Sequence, residues 1–382
     1  MQVAASTRTP PSPAIERWEI APAADYVSGG SARYASIAGP ADLAALGAPF
    51  GYGWYRVQLK GAAPRRAHVA WPQSADRLHV FVDGTELGVM GEGPGARAEL
   101  TLNLTKHPQT LVVLAENAGR FSGGNRLVEG KGLLGHAWEV EPLRLGRATL
   151  TRGEPMEPLA FRAPIFGVSE GEATDAARIA WSVNRRGKNP IVVTCGPVST
   201  RGVLLVNGQP HRWFDAGEPW RTFLDESVLG RGSVELSAAV LGSAEESLKE
   251  LGESLGGSEC VENLTAKAEW SFAKWERPGA DAYKPYKVSK HGGPVWCRGW
   301  FSTRPGAPSL RVVCAGLSKG QVYVNGRHAG RYFTATGPGH EVGPGLGVFV
   351  PSAWLTHEKP NELMIFDEHG YGPSKVRLAF EV

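Results

Sequence analysis

QVYVNGRHAGRYF, residues 321–333, decides how this chain is to be read. Successive side chains of a strand face opposite sides, so Val322 and Val324 point one way while Gln321 and Tyr323 point the other. Asn325-Gly326 then interrupts the alternation. Both residues tolerate the positive φ of a tight type I′ turn, and Asn-Gly between two such runs is the strongest short-range hairpin signal. The thirteen residues therefore spell a strand, a turn and a return strand.

The same text occurs twice more. Residues 77–90, RLHVFVDGTELGVM, alternate Val80 and Val82 with His79 and Phe81 before Asp83-Gly84, and residues 203–214, VLLVNGQPHRWF, turn at Asn207-Gly208. From 83 to 207 is 124 residues and from 207 to 325 is 118, a nearly constant period. A tryptophan precedes each turn: Trp54 by 29 residues, Trp181 by 26 and Trp300 by 25, which predicts equivalent core positions. Apolar strands follow each turn, in TLVVLAEN from Thr110, SVELSAAVL from Ser233 and NELMIFDE from Asn361.

A period of this length is too long for a solenoid repeat or a propeller blade and fits a module that buries its own core. The expected fold is all-β, three consecutive antiparallel β-sandwich modules at 15–147, 148–283 and 284–382 behind a tail or linker at 1–14. Cys195 and Cys314, in IVVTCG and RVVCAG, stand 12 and 11 residues before their turns. Equivalent positions in separate modules lie too far apart to bridge, so buried free thiols are expected. One helical insertion is expected near 243–255: Ser243 and Glu246 have capping-box spacing, Leu248, Leu251 and Leu255 follow at helical intervals, and Gly256-Gly257 ends the run.

Composition agrees with many short strands joined by turns, since Gly (49) and Pro (28) fill 77 of the 382 positions. A net charge of +3, with acidic and basic residues intermixed, gives no electrostatic footprint for nucleic acid or an anionic membrane surface. No apolar run approaches the ~18 residues of a membrane span, and the opening MQVAASTRTPPSP lacks the apolar stretch of a secretory signal. The four cysteines form no CxxC pair and the ten histidines no HxH or HExxH spacing, so no metal site or cofactor is expected from spacing. A structural calcium held on backbone carbonyls would leave no trace in a sequence.

Two parts of the chain carry a family resemblance. GYGWYRVQL, DRLHVFVDGTELGVM, LAENAGRFSGG and KGLLGHAWEV, between residues 50 and 143, resemble a sandwich domain of family 35 glycoside hydrolases, the β-galactosidases. GLSKGQVYVNGRHAGRYF, VFVPSAWL and NELMIFDEHG, between 296 and 382, resemble the C-terminal jelly-roll (galactose-binding-like) domain of the same enzymes. The middle module matches in pattern alone. The resemblance implies hydrolysis of terminal β-galactosides on a (β/α)₈ barrel by an acid/base and a nucleophilic glutamate, two carboxylates ~5 Å apart. No βα repetition and no segment like the family's acid/base segment occurs here, and Glu116-Asn117 reads as the end of a sandwich strand. The expectation is a non-catalytic β-sandwich portion of a β-galactosidase-like protein, bracing a barrel in cis or on another chain. The rivals are a free-standing carbohydrate-binding protein and an assembly module that pairs through edge strands.

Sugar recognition needs an aromatic face and a few polar groups. Trp71, in the loop WPQSAD, is one candidate platform. The Gly-rich segment NAGRFSGGN at a strand exit offers Asn117, Arg120, Phe121 and Asn125. In the resembling enzymes this loop lies near the barrel mouth and often carries a tyrosine, where Ser122 and Gly123 stand here. Arg327, His328 and Arg331, beside Tyr332 on the third hairpin, complete the candidates for a galactoside or other carbohydrate.

Overall fold

The structure is a computed structural model that describes residues 12–121, 129–154, 176–241, 245–288, 292–343, 345 and 347–381. The chain is all-β, its strands paired antiparallel in several sheets. The three turns form as the sequence predicts. Asp83, Asn207 and Asn325 have φ of 47°, 51° and 48°, each followed by a glycine at positive φ. Backbone conformation alone does not explain the choice of Asp or Asn. Each side-chain oxygen also accepts from the second residue of the following strand, Asp83 from Thr110 N at 2.8 Å, Asn207 from Glu235 N at 3.0 Å and Asn325 from Glu362 N at 2.9 Å. The backbone N–H of each turn residue donates to that same partner's carbonyl at 2.9 Å. A β-bulge recurs beside each turn, at Val80/Phe81, Leu204/Leu205 and Val322/Tyr323, three residues back in every case. The repeat is thus a folding device, a turn that docks on the strand that returns beneath it.

Three sandwich cores result. The first lies between the sheet Ala35–Ile37, Glu269–Lys274, Gly51–Leu59, Gln109–Asn117, Arg77–Val82, Thr85–Gly91 and the strands Arg65–Ala70, Leu100–Leu104 and Trp138–Pro142. The second, around Trp181, Leu236 and Ile191, is closed by the helix Glu245–Ser254 through Leu248 and Leu251. The helix forms around Leu248 and Leu251 but ends at Ser254: Leu255 and Gly256-Gly257 open the strand Leu255–Asn263, paired with Ile191–Cys195, and Ser243 is outside the described residues. The third lies between the sheet containing Val295–Phe301, Asn361–Asp367, Lys319–Val324 and Arg327–Phe333 and the small sheet Val348–Val350, Leu310–Val313, Arg377–Phe380.

Strands cross the expected boundaries. Trp18–Pro22 pairs with Val295–Phe301 in the third unit's sheet, Glu269–Lys274 with Gly51–Leu59 in the first's, and Arg144–Leu145 with Ala176–Asn184 in the second's. The units also join in two different ways. The first and second share one continuous sheet through Trp138–Pro142 beside Leu255–Asn263. The first and third instead stack face to face through a fourth core of Tyr52, Trp54, Phe81, Leu114, Trp296, Tyr323, Met364 and Phe366. Alternation in these strands therefore separates two buried faces, since Gln321 (0% exposed) and Tyr323 (8%) are covered as Val322 and Val324 are.

Stacking also corrects the tryptophan alignment. Trp54 is paired with Leu114 and Trp296 with Phe366, and Trp296 precedes Asn325 by 29 residues as Trp54 precedes Asp83. Both lie in the face between units, whereas Trp181 fills the second unit's own core. Trp300 is only half-buried, with Arg17 and Arg298 over its ring at 4.3 and 5.2 Å. The spacing of Trp300 was close enough to mislead. All four cysteines are buried free thiols, as expected.

Candidate functional site

The face between the first and third units ends in a seam of buried charge. Arg77 and Lys319 each stand six residues before their turns, and Glu116 and Glu368 each stand six after Thr110 and Glu362, so the repeat places a cation and a carboxylate at matching register in both units. Because the sheets face one another, the charges also meet across the seam. Lys319 Nζ lies 2.5 Å from Glu116 Oε1 and 2.7 Å from Glu368 Oε1. Arg77 Nε lies 3.9 Å from Glu368 Oε2, and its Nη1 donates to the carbonyls of Glu92 and Pro94. The Tyr52 hydroxyl donates to Glu368 Oε1 at 2.7 Å. All four charged residues are buried.

The two carboxyls respond differently. Burial pushes both up, but Lys319 and Arg77 outweigh it at Glu368 and hold that carboxyl at about 2. At Glu116 burial wins over Lys319, assisted by the neighbouring charge of Glu368, and the carboxyl is raised. A carboxyl pair with separated pKa values is the signature of acid/base chemistry. Here the Lys319 ammonium fills the space between them, which is where a glycosidic oxygen would have to sit. The arrangement is a charge lock between two sheets.

A second buried pair supports the adjoining loop. Lys131 Nζ bonds Asp76 Oδ1 at 2.7 Å and Glu129 Oε2 at 3.1 Å, and Asp76 Oδ2 accepts from Ala118 N at 2.7 Å. Farther along the seam, His79 Nε2 stands 3.1 Å from Glu86 Oε1, and His369 Nδ1 stands 3.7 Å from that same oxygen. The two imidazoles are 4.6 Å apart, come from different units and are 1% and 4% exposed. Their positions, 79 and 369, are too distant in sequence for any spacing rule to join them.

The residues expected from sequence fall into distinct places. Trp71 is 1% exposed in the first core, so it offers no stacking face. Asn117 is likewise buried and structural, donating to Pro49 O at 2.9 Å and accepting from Gly119 N at 3.1 Å. Arg120 and Phe121 are exposed, Arg120 reaching Glu129 O at 3.3 Å and Asp42 at 3.7 Å, with Lys131 Nζ 5.2 Å from the Phe121 ring. Asn125 lies outside the described residues.

On the hairpin, Arg327 turns away over Trp354. His328 faces the first unit: Nε2 is 2.6 Å from Gln321 Oε1 and the ring meets Phe50 edge-on at 4.6 Å. Burial and then Arg331 lower its pKa. Arg331 Nη2 lies 3.6 Å from where a side chain on Gly119 would begin. The structure therefore brings Arg120, Phe121, His328 and Arg331 to one edge and leaves Trp71 and Arg327 elsewhere. Sequence reasoning missed Arg77, Lys319, Glu368, His79 and His369. The available signal was a cation six residues before the turn in both RLHVFVDG and KGQVYVNG.

Comparison with known families falls on these same two units. Residues 40–144 match the description "Beta-galactosidase, first all-beta domain", and residues 294–361 match "Beta-galactosidase, galactose-binding domain". The chain carries β-galactosidase-type β-domains. A β-galactosidase of Xanthomonas manihotis is 28% identical over 203 residues, covering 53% of this chain and 28% of that protein. Beta-galactosidase-1-like protein 3 of Homo sapiens is 28% identical over 100 residues, 26% of this chain and 14% of its own length. A β-galactosidase of Canis lupus familiaris is 34% identical over 89 residues, 22% of this chain and 12% of its own. The matched part of this chain thus spans at most 28% of these relatives' length. Among solved structures, a β-glucuronidase from Ruminococcus gnavus aligns at 11% identity with a TM-score of 0.25, over 65% of this chain and 44% of that one. Among the described residues no helix is long and apolar enough to cross a membrane.

Proposed function

We propose that this chain is the non-catalytic β-sandwich portion of a β-galactosidase-like glycoside hydrolase, of the family 35 type, and braces a catalytic barrel. The observation that carries the reading is that both units joined by the buried charge lock match β-galactosidase β-domains, the first at 40–144 and the third at 294–361. Burying both faces of two sheets produces a stiff block, which suits a brace. The buried carboxyls Glu116 and Glu368 are tied to Lys319 and leave no room for a substrate.

The test is hydrolysis of a chromogenic β-galactoside by the chain alone. No turnover is expected, and turnover abolished by a single Glu or Asp substitution would overturn the proposal. A contribution to carbohydrate contact is assigned to the edge where the exposed Arg120 and Phe121 follow Gly119 and Arg331 Nη2 approaches that glycine, since guanidinium donors and an exposed ring are the chemistry a sugar takes. Calorimetric titration with galactose checks it: saturable binding weakened by Arg331→Ala supports the contact, and no heat at millimolar sugar removes it.

A further inference from the structure

We infer that His79, Glu86 and His369 form a binding site for a divalent transition metal of the zinc class, clamping the first unit to the third. Four ring nitrogens are buried there, on His79 and His369, and none has a hydrogen-bond partner. A buried polar group left unpaired costs ~1–3 kcal/mol, so two such imidazoles side by side need something to satisfy them. Among the described residues the one acceptor at ion-pair distance of both rings is Glu86 Oε1, and neither contact has the geometry of a hydrogen bond.

The separations suit a metal better than a proton. One ligand atom from each residue lies within 4.8 Å of the others, and two of the separations are 3.1 and 3.7 Å. Tetrahedral zinc with bonds of ~2.0–2.2 Å has edges of ~3.4 Å between ligand atoms. The two Glu86 separations bracket that edge already, and the third, between the imidazole nitrogens, lies within 4.8 Å and is adjusted by small rotations of the two rings.

Glu86, half-exposed at the edge of the seam, is the anionic member of the set. Two imidazoles and one carboxylate select zinc, cobalt or nickel over calcium and magnesium, which take oxygen donors. The Glu86 side chain is 45% exposed, so the set opens to solvent on that side. His79 and Glu86 come from one hairpin of the first unit and His369 from the turn that follows the strand Asn361–Asp367 in the third, so a bound ion links the two units directly.

The experiment is a titration of the chelator-stripped chain with zinc chloride by calorimetry, and with cobalt chloride by visible absorption. One equivalent binds, cobalt gives the intense bands of a four-coordinate ion, and zinc raises the melting temperature by roughly 5 °C. Glu86→Gln weakens binding about 10-fold or more and His369→Gln abolishes binding, each variant's zinc-induced shift being read against its own metal-free melting temperature. No saturable binding at submillimolar zinc by the unaltered chain overturns the inference. So does binding that survives both substitutions, which would mark an adventitious surface site. Should His369→Gln fail to fold, the exposed Glu86→Gln variant still decides the matter.

Discussion

The two ends of the seam between the first and third units are built on the same register positions and carry different chemistry. His79 stands four residues before Asp83 and Gln321 four before Asn325; Glu86 stands three after Asp83 and His328 three after Asn325. His369 and Asn117 likewise each stand seven residues after the strand partner of their turn, Glu362 and Thr110. One end therefore gathers His, Glu and His, with both imidazoles buried and unbonded. The other carries Gln, His and Asn, closed by the His328–Gln321 bond and bordered by the exposed rings of Phe50 and Phe121. The repeat supplies positions, and the residues that differ between copies supply what is individual.

The centre of the seam gives the sharpest way to break this near-symmetry. Glu368 answers both Lys319 and Arg77, whereas Glu116 answers Lys319. Glu368→Gln should cost ~3–5 kcal/mol in denaturant unfolding, because it leaves two buried cations with one carboxylate. Glu116→Gln should cost distinctly less, since the carboxyl it removes is already raised by burial. Equal losses would show that the two crossed pairs are interchangeable and that the difference in their environments has no energetic weight.

Acid should separate them by the same logic. The Glu368 carboxyl at about 2 lies below its unfolded value of ~4.3, so its contribution is complete above that value and is lost as pH falls toward 2. Glu116 is raised, so folding favours its protonated form and its contribution grows as the pH falls through its folded value. Melting curves of the unaltered chain and Glu368→Gln should stay apart at pH 5 and converge as pH approaches 2. Convergence already at pH 5 would place the Glu368 carboxyl in its ordinary range.

The turns should respond alike where the seam does not. Asp83→Ala, Asn207→Ala and Asn325→Ala each lose a side-chain acceptor and place alanine at positive φ, a loss of ~1–2 kcal/mol apiece. Asn325→Ala should sit at the top of that range, since its amide also donates to Trp354 O and Asn361 Oδ1, while, among the described residues, that of Asn207 donates to Leu229 O alone. A turn that tolerates the change would not be the docking device inferred from all three.

What the sequence made legible follows from this division. Period, hairpins, all-β class, buried thiols and the leucine helix rest on local spacing, and each is in the structure where it can be described. Face-to-face stacking of two units was illegible because a strand buried on both faces still alternates. Phe81, Tyr323, Trp54 and Trp296 looked like the ordinary aromatic content of strands, and only their mutual contact shows that they line a second face. Boundaries were misplaced for the same reason, since Trp18–Pro22 completes a sheet nearly three hundred residues away. Of the candidate site, exposed loop residues were legible from Gly-rich text. The buried set was not, because Arg77, His79, Lys319, Glu368 and His369 are polar residues in or just beyond strands that are gathered only when one unit packs on the other.

The smallest effect on stability belongs to the open end. Phe121→Ala and Arg331→Ala remove exposed side chains and should leave denaturant unfolding within about 0.5 kcal/mol of the unaltered chain. That neutrality makes them useful, because any change in galactose affinity then reports contact and not damage to the fold. His328→Ala is the control between the two ends. It removes the bond to Gln321 and the contact with Phe50, so it should cost ~1 kcal/mol and leave zinc binding at the other end untouched. If His328→Ala weakens zinc binding as Glu86→Gln does, the ends are coupled through the charge lock between them, and the seam must be treated as one site.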